Sequence, residues 1–329
     1  MGLFRKKKQV SIDATLVVNS KNEEDICETS LTKRERREAS ALKFDGLKAI
    51  QLGNYRFAEL ALENAMRINP DFETRYYYTE VLHRGGKNNE ALEHSNVLLE
   101  EIPEHILALH LRAKILMHME EYDQAIRDIN KALDLTEDND SLDRLYQLKG
   151  ECAFALGQYE LTLEATEKAL SLNPHIARVV LTRIRAFIHL KEYDNALHLI
   201  KKYKSIFPEE ERLTLYEGRI FEVLNLEDKA AVSYIKTLEL DPFNEEALLF
   251  LVGIKHRTKG AQEAITIINE YIEESNPSQS VLQLYIDLLR EIGDLKKADY
   301  WEKELARIES KTDQQETINL DNHLSKGLF

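Results

Sequence analysis

Five arginines recur at one interval. Arg144, Arg178 and Arg212 stand 34 residues apart, twice, and Arg185 and Arg219 are again 34 apart. A guanidinium is a planar, permanently charged fork that grips a carboxylate or a phosphate through two parallel hydrogen bonds. Arg178 and Arg185 are seven apart, about two helical turns, and so fall on one helix face. Tyr216 adds an aromatic platform, and His256 and Arg257 continue the basic character. Further N-terminal, Tyr76, Tyr77, His83, His110, Leu111 and Met117 form an aromatic and apolar set. Two readings stay open for the arginines. They pair with acids of neighbouring helices, such as Glu151, Glu217 and Glu222, in ion pairs worth little, or they meet an anionic ligand. The aromatic set either lines a surface or packs helices together.

Other chemistry lacks its residues. Ten histidines are scattered without a His-Glu-x-x-His pair, and there is no Cys-x-x-Cys. His105 and His110 are five apart, off the spacing that aligns two metal ligands on a helix, so no metal site is expected. Gly85-Gly86 lacks the spacing of a phosphate loop, and no Gly-x-Ser-x-Gly elbow occurs. Nothing assembles a nucleophile with a base. The reading is a non-enzymatic protein without a cofactor.

The elements that must carry these side chains are written most plainly from Lys149 to Pro174. Lys149-Gly150 is followed by Ala155-Leu156-Gly157-Gln158-Tyr159 and by Lys168-Ala169-Leu170-Ser171-Leu172-Asn173-Pro174. A small residue lets two helices approach, a Gly-x-Tyr turn joins them, and Asn-Pro ends the unit. A small position recurs at Ala58, Ala91, Ala125, Thr162, Ala196, Ala230, Ala264 and Ala298, at intervals of 33, 34, 37, 34, 34, 34 and 34. Three residues earlier stand Tyr55, Tyr122, Tyr159 and Tyr193, and seven later Ala65, Ala132 and Ala169. All six prolines, Pro70, Pro103, Pro174, Pro208, Pro242 and Pro277, fall where one unit hands over to the next, as expected of a residue that breaks helix interiors. The 37-residue interval predicts a longer polar loop near Thr136–Ser141.

This pattern resembles the tetratricopeptide repeat, a helix–turn–helix unit of 34 residues, in eight copies over about residues 39–309. The family's tryptophan is missing from the first helices; Trp301 lies in the last second helix. The resemblance implies an all-α, right-handed superhelical solenoid whose first helices line a concave, partner-binding groove. It would place Arg144, Arg178, Arg185, Arg212, Tyr216, Arg219, His256, Arg257, Tyr76 and Tyr77 in that groove. One subclass grips the C-terminal carboxylate of chaperones with a Lys–Asn–Asn–Lys–Arg clamp. Lys43 matches its first position, but Leu47, Tyr77, Leu107 and Leu111 occupy the others, which disfavours a chaperone-tail adaptor. The last helix, over 295–308, is expected to bury Leu295, Ala298, Trp301, Leu305 and Ile308 and to face solvent elsewhere.

Composition limits the partners. The formal charge is −14; residues 1–38 carry nine Lys and Arg against seven Asp and Glu, a balance of +2, which leaves −16 for the rest. So acidic a body argues against general nucleic-acid binding. The two cysteines, Cys27 and Cys152, form no disulfide framework, which suits a reduced, cytoplasmic setting. The longest apolar run, Ala247–Ile254, is too short to span a bilayer. Residues 1–38 read as a basic leader. Val10, Ile12, Ala14, Leu16 and Val18 alternate as in a strand, yet a lone strand has no ladder partner, so strand and unstructured leader both stay open. Residues 30–38 read as a helical run into the first repeat, and 310–329 as a polar, mobile tail. The expected function is an adaptor that holds an extended peptide or helix, acidic or phosphorylated, in the groove. Two alternatives stand beside it. One is a tether to an anionic membrane surface through Arg5, Lys6, Lys7 and Lys8; Gly2 resembles an acylation site, but Lys6 sits where Ser or Thr is expected. The other is a regulator that contacts nucleic acid through Lys33–Arg37.

Overall fold

The computed structural model describes residues 31–136 and 141–308. The basic stretch Arg5–Lys8, Gly2, the alternation from Val10 to Val18, Cys27, residues 137–140 of the longer loop and the tail from 309 lie outside the described residues. Among the described residues there are sixteen helices and no strands, and the fold is an all-α solenoid of tandem helical hairpins. The chain divides into two compact units, the first ending at Glu101 and the second beginning at Ile102. The first holds α1 (Lys33–Gln51), α2 (Tyr55–Ile68), α3 (Phe72–Arg84) and α4 (Asn88–Glu101). The second holds α5 (Ile106–His118), α6 (Tyr122–Leu135), α7 (Leu142–Ala155), α8 (Tyr159–Leu172), α9 (Ala177–His189), α10 (Tyr193–Lys204), α11 (Glu211–Val223), α12 (Glu227–Leu240), α13 (Glu245–Lys259), α14 (Ala261–Glu274) and α15 (Gln279–Glu291). It closes with α16 (295–308).

The small position explains the hairpins. All eight of its residues, from Ala58 to Ala298 and including Thr162, are 0% exposed. A larger side chain at the crossing would hold the helices apart and cost about 1–3 kcal/mol. A second size rule acts sixteen residues apart. A Cβ on Gly46 would lie 2.7 Å from Leu62, one on Gly150 2.9 Å from Thr166, and one on Gly218 2.6 Å from the Tyr234 ring. In the ninth and tenth helices, by contrast, Ile184 faces the same site with Ile200, both buried. At these three crossings glycine leaves the space to the side chain sixteen residues on, whereas Ile184 and Ile200 share it.

The turns repeat as closely. After seven of the eight first helices the second residue has a positive φ, as in Gly53 and Gly157, both with φ of 72°. Glu120, Lys191 and Asn225 adopt the same conformation with φ of 62°, 60° and 57°, a strain of about 1 kcal/mol or more for a residue with a Cβ. In the turn after α7, the Gly157 N–H donates to the Phe154 carbonyl and the Gln158 N–H to the Ala153 carbonyl, which satisfies the open carbonyls of the helix end. The six prolines all lie between helices.

The two ends complete the outline. α1 begins at Lys33, where Thr32 and Glu35 form a reciprocal capping box. Lys33, Arg34, Arg36 and Arg37 are therefore exposed residues of the first helix. At the other end, Ala298 and Leu305 are buried and Trp301 meets the Tyr285 ring edge-on at 5.8 Å. Leu295 is 60% and Ile308 40% exposed, so the buried stripe of α16 is narrower than its sequence predicts. Within the described residues no helix follows α16 to cover that flank. No helix among the described residues is long and apolar enough to cross a membrane.

Candidate functional site

Within the second unit, the first helices of successive hairpins approach one another directly, α5 with α7, α7 with α9 and α9 with α11. The second helices of neighbouring hairpins do not come as close to each other. First helices therefore form the inner side of this stretch. A pocket of about 570 Å³ opens on it. α5 supplies Met117 and His118, the start of α6 Tyr122, α7 Glu151, Phe154 and Ala155, α9 Arg178, Leu181, Thr182 and Arg185, and α11 Arg212 and Tyr216. Helical spacing builds each wall. Positions 178, 181, 182 and 185 of α9, and 151, 154 and 155 of α7, are the i, i+3, i+4 and i+7 positions of single faces.

The arginines do not form one strip. Arg178 turns back to α7, where its Nε lies 3.1 Å from Oε1 of Glu151. Arg185 also turns back and lays its guanidinium 4.1 Å from the centre of the Phe154 ring, a cation–π contact. Arg219, one repeat on, turns the other way, to Glu246 at 3.2 Å and towards the Phe250 ring, both on α13. Arg212 folds onto its own helix start, with Nε 2.5 Å and Nη2 3.1 Å from the two oxygens of Glu210. That bond holds the Arg212 guanidinium above its ordinary pKa. Arg185 and Arg219 thus reach in opposite directions, one to α7 and the other to α13. Among the described residues no carboxylate pairs with Arg185, whose guanidinium lies against the Phe154 ring. The acids named in the sequence divide differently. Glu151 takes Arg178, whereas Glu217 accepts from Lys204 at 2.6 Å and from Ser233. Glu222 accepts from Arg257 at 3.1 Å and from the Tyr234 hydroxyl.

The remaining candidates scatter. Arg144 is exposed near His110, whose pKa is pushed down to about 4 by burial and by the charges of Lys114 and Arg144. His105 instead closes the start of α5, where its Nδ1 accepts from the Ala108 N–H. His256 contacts Glu291 and Arg257 bridges Glu222 and Glu227, which places both outside the pocket lining. Leu111 is 4% exposed and belongs to the core, not to a groove surface; Met117 does line the pocket. In the first unit, Tyr76 and Tyr77 meet edge-to-face at 5.5 Å, and burial raises both phenol pKa values. His83 bonds Asn88 at 2.9 Å. Lys43, the one match to the carboxylate clamp, is held by Glu73 at 2.7 Å.

Phe154, Glu210 and Glu246 are the pocket and pairing residues that spacing did not mark. Phe154 lies 31 residues before Arg185 and Glu246 lies 27 after Arg219. Both separations differ from the repeat length, because the contacts run obliquely between adjacent first helices. The adjacent Glu210 was legible as a near neighbour of Arg212.

The model of the family described as anaphase-promoting complex, cyclosome, subunit 3 matches residues 51–132. The tetratricopeptide-repeat model matches residues 143–176. Among curated relatives, the DnaJ protein P58IPK homolog B of Oryza sativa subsp. japonica is 29% identical over 184 residues, 51% of this chain and 38% of that protein. The tetratricopeptide repeat and J domain-containing co-chaperone DNJ1 of Cryptococcus neoformans is 21% identical over 70% of this chain and 45% of its own length. The chain thus spans less than half of each of these relatives. A solved tetratricopeptide repeat protein from Parabacteroides merdae aligns with a TM-score of 0.58 at 18% identity, over 77% of this chain and 98% of the other. PilF of Pseudomonas aeruginosa aligns with a TM-score of 0.55 at 20% identity, over 67% and 100%. At such identities the solved structures speak for the fold alone. With eight buried small positions at the repeat interval and a repeat model that matches residues 143–176, the chain is built of tetratricopeptide repeats.

Proposed function

We propose that the chain is a non-enzymatic interaction adaptor, and that the inner face of α5, α7, α9 and α11 holds a segment of a partner protein through an acidic group. The observation that carries this is the state of Arg185. Its guanidinium lies in the pocket against Phe154 with no carboxylate among the described residues, while Arg178 and Arg212 in the same lining each have one. An aromatic face leaves the guanidinium edges, where the N–H donors sit, open to a ligand. Met117, Leu181 and Tyr216 add apolar and aromatic wall to the same pocket, the usual mixture of a peptide site. The relatives whose names describe co-chaperones or DnaJ proteins support a role in protein binding.

The test is selection of a random displayed peptide library on the full chain, followed by titration of the selected peptides. Arg185→Glu is expected to weaken them at least about tenfold, since a charge-assisted hydrogen bond contributes about 1.5–3 kcal/mol. It should also flatten their salt dependence and leave circular dichroism unchanged. Peptides that bind the variant with the same affinity and salt dependence refute the reading.

A further inference from the structure

One acid, Glu151, lines the pocket beside these arginines. Glu151 has a side chain only 13% exposed, and it stands three residues before Phe154 on the same face of α7. One of its oxygens accepts from Gln147 Nε2 at 3.0 Å and forms an ion pair with Arg178 Nε at 3.1 Å. We propose that Glu151 makes this pocket a reader of carboxylate side chains and excludes phosphate groups, an inference that rests on the groove reading above.

Charge bookkeeping favours the carboxylate. Arg212 is chelated by both oxygens of Glu210, and Arg178 already serves Glu151. Arg185 alone is uncommitted among the pocket's arginines, with one face on Phe154. One guanidinium matches one carboxylate, in charge and in bidentate geometry. A phosphate monoester brings a charge of about −1.5 to −2 and needs a second cation. Arg178 lies on the same face of α9 as Arg185, and its capture would strip Glu151 of its charged partner. A buried carboxylate deprived of its cation is strongly unfavourable. The second negative charge would also face Glu151 itself. Tyr216 offers only a neutral donor. Glu151 is therefore a specificity-determining residue, distinct in role from Arg185, which would touch the ligand.

The experiment takes a peptide selected on the full chain and compares versions carrying glutamate, glutamine or phosphoserine at its anchoring acidic position. On the native chain the glutamate version is expected to bind at least tenfold tighter than the glutamine version and no weaker than the phosphoserine version. In Glu151→Gln, the ratio of phosphoserine to glutamate affinity is expected to rise at least tenfold. Glu151→Asp, which keeps the charge, should restore the native ratio, and this separates specificity from damage to the fold. A tenfold preference for phosphoserine in the native chain, or a ratio unchanged in Glu151→Gln, overturns the proposal. If the glutamine version binds as well as glutamate, the groove reading survives and the carboxylate assignment falls. If no peptide is selected, or Arg185→Glu binds unchanged, both fall.

Discussion

Gly218→Ala should destabilise this protein and Gly253→Ala should stabilise it, although both replace a glycine inside a first helix. Alanine gains about 1 kcal/mol over glycine in a helix interior, so both changes start with the same credit. At Gly253 the nearest atom to the new methyl is Nη1 of Arg257 at 3.6 Å, an ordinary contact. The gain should remain near 1 kcal/mol. At Gly218 the methyl would lie 2.6 Å from Cε1 and 2.8 Å from Cδ1 of Tyr234, about 1 Å inside a normal carbon contact. The ring has little room to retreat. Tyr234 is 0% exposed, stacks on Phe250 at 5.3 Å and donates its hydroxyl to Glu222 at 3.0 Å. Overpacking costs about 1–3 kcal/mol, and a hydrogen bond to a charged group is worth about 1.5–3 kcal/mol. Against the gain of about 1 kcal/mol, overpacking with loss of that hydrogen bond leaves Gly218→Ala with a net loss of about 1.5–5 kcal/mol. Thermal unfolding followed by circular dichroism should then drop by about 2–4 °C per kcal/mol, while Gly253→Ala rises by about 2–4 °C. Amide exchange in α11 and α12 should report the loss locally, because repeat arrays open by neighbouring units. A Gly218→Ala protein that melts at or above Gly253→Ala would refute the sixteen-residue size rule.

Three further outcomes are expected. Arg112 chelates the nearly buried Asp128 through two 2.7 Å bonds, so Asp128→Ala should cost about 3–5 kcal/mol, whereas an apolar replacement of both partners should recover most of it in denaturant titration. Cys152 is 0% exposed and burial pushes its thiol up to about 12, so in a Cys27→Ser background a thiol reagent near neutral pH should label it only as the chain unfolds. The His110 pKa in the folded chain, about 4, lies below its unfolded value. The unfolded chain therefore takes up the proton first, and the contribution of neutral His110 is complete above about pH 6.5 and is lost as pH falls from there towards about 4. The slope reaches at most about 1.4 kcal/mol per pH unit. Melting at pH 7 and pH 5 should differ less in His110→Gln than in the native chain; an equal difference in both would refute the assignment.

The repeat was legible because each hairpin meets its neighbour through the same few crossings. Ala58, Ala196 and Ala298 are small for one local reason, and the prolines stand between helices because their backbone permits nothing else. Such constraints act within about forty residues, and the chain writes them again in every copy. Tertiary structure alone decided which carboxylate each arginine finds. An arginine arm reaches several acids, and exposed pairs differ by less than about 1 kcal/mol. Spacing placed Arg185 and Arg219 at equivalent backbone positions, yet one turned to Phe154 and the other to Glu246. Each arm settles on the ring or acid that the adjacent helix brings within reach, and the residues that meet Arg185 and Arg219, Phe154 and Glu246, do not stand one repeat length from them.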